Sequence, residues 1–155
     1  MAEALVIVYS YHHKNTEKIA IAMASALGCE ALRPSDVSYE SLAGYSIVGF
    51  GAGIDSGKHY MPMLEFARDL APVEGKIAFV FSTSAIANEK KAYKDHSALR
   101  DILLSKGYQV IGEFTCKGYN TNSFLKYFGG MNKGHPDSED LQNAADFAKS
   151  LAISL

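Results

Sequence analysis

The unbroken aliphatic run Ala4-Leu5-Val6-Ile7-Val8-Tyr9 constrains this chain more than any other stretch. It has no polar residue at alternate positions and so no solvent face, which predicts a strand buried on both sides, as in the interior of a parallel sheet. Ser46-Ile47-Val48-Gly49-Phe50-Gly51, Lys76 to Ser82 and Gln109 to Cys116 read as further strands, and Glu30-Ala31-Leu32-Arg33 as a shorter one ended by Pro34. Between them run helical stripes: Ile19, Ala20, Met23, Ala24 and Leu27, stopped at Gly28; Met63, Leu64, Phe66, Ala67 and Leu70; and Ala98, Leu99, Ile102, Leu103 and Leu104, stopped at Gly107. Val37 to Ala43 reads as a brief helix. A last helix carries Leu141, Ala144, Ala145, Phe147, Ala148 and Leu151, with Asp137 or Ser138 as its cap. Five strands alternating with helices imply parallel pairing, right-handed crossovers and helices on both faces, a doubly wound α/β three-layer sandwich.

In such sheets ligands sit beyond the carboxyl ends of the strands. Three polar stretches converge there. The first is the turn Ser10-Tyr11-His12-His13-Lys14-Asn15-Thr16, where a strand passes into a helix whose first amides lack backbone partners and whose dipole adds partial positive charge. With short hydroxyl and amide side chains and three basic residues, it suits a phosphate ester. The plainer alternative is that Asn15 or Thr16 merely caps the helix. The second stretch is the glycine-rich loop Ala52-Gly53-Ile54-Asp55-Ser56-Gly57-Lys58-His59-Tyr60, and the third is Ser82 with the small turn Thr83-Ser84-Ala85. A phosphate held by the first leaves a flat ring to lie between the other two.

The 155 residues suit one domain, 1–155, and 48% apolar with 21% charged residues is ordinary for a globular chain. The formal charge of −2 with scattered basic residues argues against nucleic acid as a partner. Cys29 and Cys116 form neither a metal-ligand spacing nor a disulfide framework, which points to a reduced, cytoplasmic setting. No leader pattern precedes the first strand and no apolar run approaches a membrane span. The five histidines have no zinc-type spacing, so no metal is expected.

At these residues the chain resembles the short-chain flavodoxins, small proteins that bind flavin mononucleotide (FMN) and carry electrons. Ser10 through Thr16, followed by Glu17-Lys18-Ile19-Ala20, resembles the phosphate loop and its Asn-Thr-Glu helix start. Gly49-Phe50-Gly51-Ala52-Gly53-Ile54 resembles the first ring-flanking loop, and Phe81-Ser82-Thr83-Ser84 the second. Gly112 to Gly118, with Gly129-Gly130 and Lys133-Gly134-His135-Pro136, resembles a subgroup with a long turn after the fifth strand. The resemblance implies a flavodoxin-like sheet of five parallel strands in the order 2-1-3-4-5. It also implies FMN held by Ser10, Tyr11, His12, His13, Lys14, Asn15 and Thr16, by Ala52, Gly53, Ile54, Asp55, Ser56 and Gly57, by Ser82, Thr83, Ser84 and Ala85, and by Cys116 and Tyr119.

Two features depart from the pattern. His12-His13-Lys14 stands where flavodoxins commonly have Thr-Gly, and the chain has no tryptophan to cover the ring. Ile54, His59, Tyr60, Tyr93 or Tyr119 would supply a ring face. A peptide able to turn its carbonyl toward the flavin needs positive φ at one residue, which makes Ser56-Gly57 the expected hinge and Gly53-Ile54 the second choice. His12 and His13 read as a pH-sensitive phosphate clamp, one of them turned to solvent. Asp55 is either a charge near the ring or an exposed loop carboxylate. The segment from Lys117 to Pro136, with Tyr119, Phe124, Tyr127 and Phe128, either packs locally, covers the ring or meets a partner. Lys90, Lys91 and Lys94 form a small basic cluster that is either solvated or receptive to an acidic partner.

Other readings of the same residues fail. A phosphoacceptor domain needs acids where Ser10 and Gly51 stand, and a dinucleotide fingerprint belongs in the first turn, whereas the Gly49-Gly51-Gly53 series follows the third strand. Ser10 lacks a nucleophile-elbow turn, and Cys116 reads as a buried strand-end thiol. The expected function is a low-potential FMN electron carrier working between redox protein partners, a reductase and an acceptor, as a monomer or weak dimer. The alternative is an FMN-dependent NAD(P)H:quinone or flavin reductase, but no acid or base is placed for a substrate. A third class is an FMN-free interaction domain.

Overall fold

The computed structural model describes residues 3–10, 14–118 and 132–155. Strand β1, Ala4–Tyr9, sends Leu5 and Ile7 to one face of the sheet and Ala4, Val6 and Val8 to the other, all buried. It pairs in parallel with β2, Ala31–Leu32, and with β3, Ile47–Asp55. Strand β5, Ile77–Ser84, joins the far side of β3, and β6, Gln109–Lys117, closes that edge. The parallel order β2-β1-β3-β5-β6 is the expected 2-1-3-4-5 once β4, Lys58–His59, is set aside. That extra strand runs antiparallel to the end of β3.

Helices α2, Met61–Arg68, and α4, Ser97–Ser105, cover one face, where Met63, Leu64, Phe66, Leu99 and Leu103 pack on Leu5, Ile7, Val48, Phe50 and Val80. Helices α1, Asn15–Leu27, and α5, Ser138–Ile153, cover the other, where Ile19, Ala20, Met23, Ala144 and Ala148 meet Val6, Val8, Phe79 and Phe81. Alternation along strands with two dry faces forces this division. Asp137 proves to be the α5 cap, its side chain accepting from Asp140 N–H at 2.9 Å in a reciprocal capping box.

Local differences from the sequence reading have local causes. The brief helix expected over Val37 to Ala43 is instead a pair of 3-10 turns, Pro34–Asp36 and Glu40–Gly44. Helix α3, Glu89–Asp95, carries almost no apolar stripe and so left no periodic signal; Asn88 caps it, accepting from Lys91 N–H at 2.8 Å. Strand β3 runs four residues beyond Gly51, through residues that read as loop. The reason is further pairing, of Ala52 and Gly53 with Ser82 and Thr83 and of Ile54 and Asp55 with His59 and Lys58; earlier in the strand Gly49 pairs with Phe79 and Gly51 with Phe81, and a Cβ at either glycine would overlap the opposite ring. These two glycines make room for phenylalanine rings.

Candidate functional site

The three polar stretches do meet at the carboxyl edge of the sheet. In the first, Ser10 follows β1 and α1 begins at Asn15, with Lys14 as N-cap in the left-handed conformation (φ 55°). The Lys14 side chain caps nothing, and Asn15 and Thr16 lie buried inside the first turn, which removes the plain capping reading of those two residues. Ser10 Oγ instead reaches across to accept Glu17 N–H at 3.2 Å. Tyr11, His12 and His13 lie outside the described residues. Beside this turn a groove of about 600 Å³ is bounded by Tyr9, Ser10, Lys14, Arg33 and Asp36, among others.

The second stretch is a hairpin, not an open loop. Ala52, Gly53, Ile54 and Asp55 finish β3, Ser56 (φ 54°) and Gly57 (φ 78°) form the tip, and Lys58–His59 returns as β4. Two consecutive left-handed residues are what a tight two-residue hairpin demands, and glycine supplies the second without a Cβ penalty. Tyr60 N–H donates to Gly53 O at 3.0 Å, and the Tyr60 ring lies where a Gly53 Cβ would come within 2.6 Å of it. Its edge meets Tyr9, with ring centroids 6.1 Å apart. Ile54 is half-buried and Asp55 exposed at the tip.

Thr83 and Ser84 are not a turn: with Ser82 they are the last residues of strand β5, paired with β6 and buried, and the chain bends only at Ala85. Thr83 Oγ1 and Thr16 Oγ1 share a buried hydrogen bond of 2.8 Å, so the first and third stretches are joined directly. Ser84 O accepts Gly118 N–H at 3.1 Å, and Asn132 Nδ2 donates to Ala85 O at 2.6 Å. A Cβ on Gly118 would press on the Asn15 side chain at 2.7 Å. The chain leaving β6 therefore packs against both turns; Asn132 carried no sequence signal. Because Thr16 and Thr83 lose a buried partner when either is changed alone, Thr16→Val and Thr83→Val should each cost about 1–2 kcal/mol. The double variant should cost less than their sum, and strictly additive urea-unfolding energies would show the bond to be idle.

The remaining expected contacts fall as follows. Cys116 is buried in the core cluster with Phe79 and Phe81; burial first, and then the charges of Asp140 and Asp137, push its thiol up, so it stays protonated. Tyr119 lies outside the described residues. Tyr93 is exposed, and the Arg100 guanidinium sits 3.9 Å over its ring. Of the basic cluster, Lys91 is paired with Asp95. His59, a candidate ring face, is 1% exposed, which takes it off the surface of the cleft. Its Nε2 lies 3.0 Å from Phe81 O, and its ring is 4.8 Å from that of His96. Burial, and then electrostatic repulsion between the two neighbouring imidazoles, lower its pKa to about 3 against the opposing Phe81 bond, so His59 is neutral.

His96 leads to an arrangement that no spacing rule could find. Fully buried where α3 meets α4, it places Nε2 2.7 Å from Ser82 Oγ and Nδ1 2.9 Å from Glu113 Oε1. Arg100 grips both Glu113 oxygens at 2.9 and 3.0 Å. Burial pushes the Glu113 carboxyl up, but the bonds and charges of His96 and Arg100 outweigh it and hold it below its ordinary value. Elsewhere His135, Asp137 and Asp140 bring one ligand atom each into a small group, but Asp137 and Asp140 are engaged in the α5 cap and His135 Nδ1 lies 2.6 Å from Asp140 Oδ2. No helix of the described residues is long and apolar enough to cross a membrane.

A parallel sheet in this order, with its polar turns gathered at the carboxyl ends of β1, β3 and β5, defines a doubly wound α/β protein of the flavodoxin type. The chain belongs to the flavodoxin-domain family, whose family model matches residues 6–149. It is 42% identical over 149 residues to an uncharacterized protein of Methanocaldococcus jannaschii, covering 96% of this chain and 97% of that one. Its fold is similar to that of a flavodoxin from the domain Archaea, with a TM-score of 0.73 and 18% identity over 98% of this chain and 97% of that one. It is similar also to oxidised flavodoxin 2 from Bacillus cereus, with a TM-score of 0.74 and 18% identity over 99% and 100% of the two chains.

Proposed function

We propose that this chain is a single FMN-binding domain, 1–155, that carries electrons at low potential between redox protein partners, a reductase and an acceptor, in the cytoplasm. The observation that carries the reading is the Thr16–Thr83 bond, which brings the phosphate-type turn to the end of the strand whose turn would flank the ring. The donor set suits the group. Lys14 leaves the first turn of α1 uncapped by its own side chain, and Ser10 and Thr16 place hydroxyls beside the amides there. The hairpin tip and the end of β5, Ser82 to Ala85, then bound the ring.

Bound FMN supplies the one- and two-electron redox chemistry. The protein's part is to hold the phosphate with Ser10, Lys14, Asn15 and Thr16, to keep water from the ring with Tyr60 and the hairpin, and to present backbone groups to the ring edge. The Ser56–Gly57 peptide suits the last task, since both residues already hold positive φ.

FMN added to purified protein should be retained through gel filtration. The loaded protein should stay oxidised when mixed with NADPH, and bleach once a flavodoxin reductase is present. Direct bleaching by NADPH would instead support an NAD(P)H-dependent quinone or flavin reductase. A protein that takes up no FMN would be an interaction domain, and the carrier reading would fall.

A further inference from the structure

We infer that His96 carries a proton on both ring nitrogens and stands beneath the two ring-flanking turns as a buried cation that favours the anionic, reduced form of a bound flavin. The first half follows from counting hydrogens. The Glu113 carboxylate can only accept, so the 2.9 Å bond to it requires a proton on Nδ1. Ser82 has one hydroxyl proton and donates it to Thr115 Oγ1 at 3.0 Å, so the 2.7 Å bond between Ser82 Oγ and Nε2 requires a proton on Nε2 as well.

The charges around the ring leave this one unbalanced. From β4 the cluster receives neutral His59, from β6 the Glu113 carboxylate, from α4 the Arg100 guanidinium, and from α3 the mutually paired Lys91 and Asp95. Arg100 alone suffices for Glu113, gripping both of its oxygens. His96 is therefore a surplus positive charge at zero exposure, and an unneeded buried cation is costly to keep. Its position makes sense of it. One bond links it to Ser82 at the end of β5, and its ring lies 4.8 Å from His59, the residue that ends the hairpin.

The second half rests on the proposed FMN site. Oxidised FMN that takes up two electrons and one proton acquires one negative charge on its ring, and a fixed cation nearby raises affinity for that form relative to the oxidised one.

Nitrogen chemical shifts of the histidine rings in apoprotein at neutral pH test the charge directly. His96 should show two protonated nitrogens, and His59 one protonated and one bare. A bare nitrogen on His96 would overturn the inference. In FMN-loaded protein, His96→Gln should lower the ratio of reduced to oxidised FMN affinity about tenfold, a fall of about 30 mV in the two-electron potential. An unchanged potential in a folded variant would overturn the tuning role while leaving the charge intact. If wild-type protein binds no FMN, the flavin reading fails together with the tuning role, and the apoprotein shifts still decide the charge.

Discussion

Gly107→Ala is expected to cost this protein more than about 4 kcal/mol, a large fraction of the roughly 5–15 kcal/mol that holds a domain folded. Gly107 ends α4 at φ +95°, and a Cβ there would sit on the Val73 carbonyl oxygen, with the Val73 carbonyl carbon at 3.0 Å. Neither side can yield easily, because Val73 N–H donates to Lys106 O at 2.7 Å, which ties the two backbones together, and Tyr108 N–H donates to Leu103 O at 3.1 Å, which fixes the chain around Gly107. Gly75 provides the control. It also has positive φ, +69°, but nothing lies within 4 Å of its Cβ position, so Gly75→Ala should cost only the left-handed strain of about 1–2 kcal/mol. Urea unfolding of the two variants measures the difference. Equal losses would mean that the Val73 carbonyl moves aside freely.

Acid should weaken the fold in a window set by His59. Its pKa in the folded protein is about 3, against an ordinary 6.5, so between those values the unfolded chain binds the extra proton and the folded chain does not. The stability that neutral His59 represents is complete above pH 6.5 and drains away as pH falls toward 3. At 1.36 kcal/mol per unit this amounts to about 2 kcal/mol by pH 5 and on the order of 5 kcal/mol in all. Glu113, held below its ordinary value, acts in the same direction but only at lower pH, and its partial exposure makes its share smaller. His59→Phe keeps a buried ring, gives up the bond to Phe81 O, and should be less stable at pH 7 yet nearly flat from pH 7 to pH 5. Urea-unfolding energies at pH 7, 6 and 5 decide the matter: a variant as steep as wild type places the sensitivity elsewhere.

How much of the site was legible depended on how far apart its parts lie in the chain. The Ser10 to Thr16 turn could be read because it sits between a dry strand and an amphipathic helix, and both signals are local. Gly53 misled, because a strand glycine that makes room for the Tyr60 ring looks, in sequence, like a glycine that makes a loop. Helix α3 was missed because its short, charged segment buries little and so has no periodicity to show.

The chain by itself determined the alternation of strands and helices, the doubly wound sheet and the edge where polar turns gather. Each of these follows from burial patterns that repeat within a few residues. Only the tertiary structure decided that the second turn is a hairpin, that His59 is buried away from the cleft, and that Ser82, His96, Glu113 and Arg100 form one bonded row. The physical reason is distance along the backbone. Hydrogen bonds and buried charges between residues on three different elements leave no period in the sequence, and they exist only once the sheet has brought β5, β6 and α4 side by side.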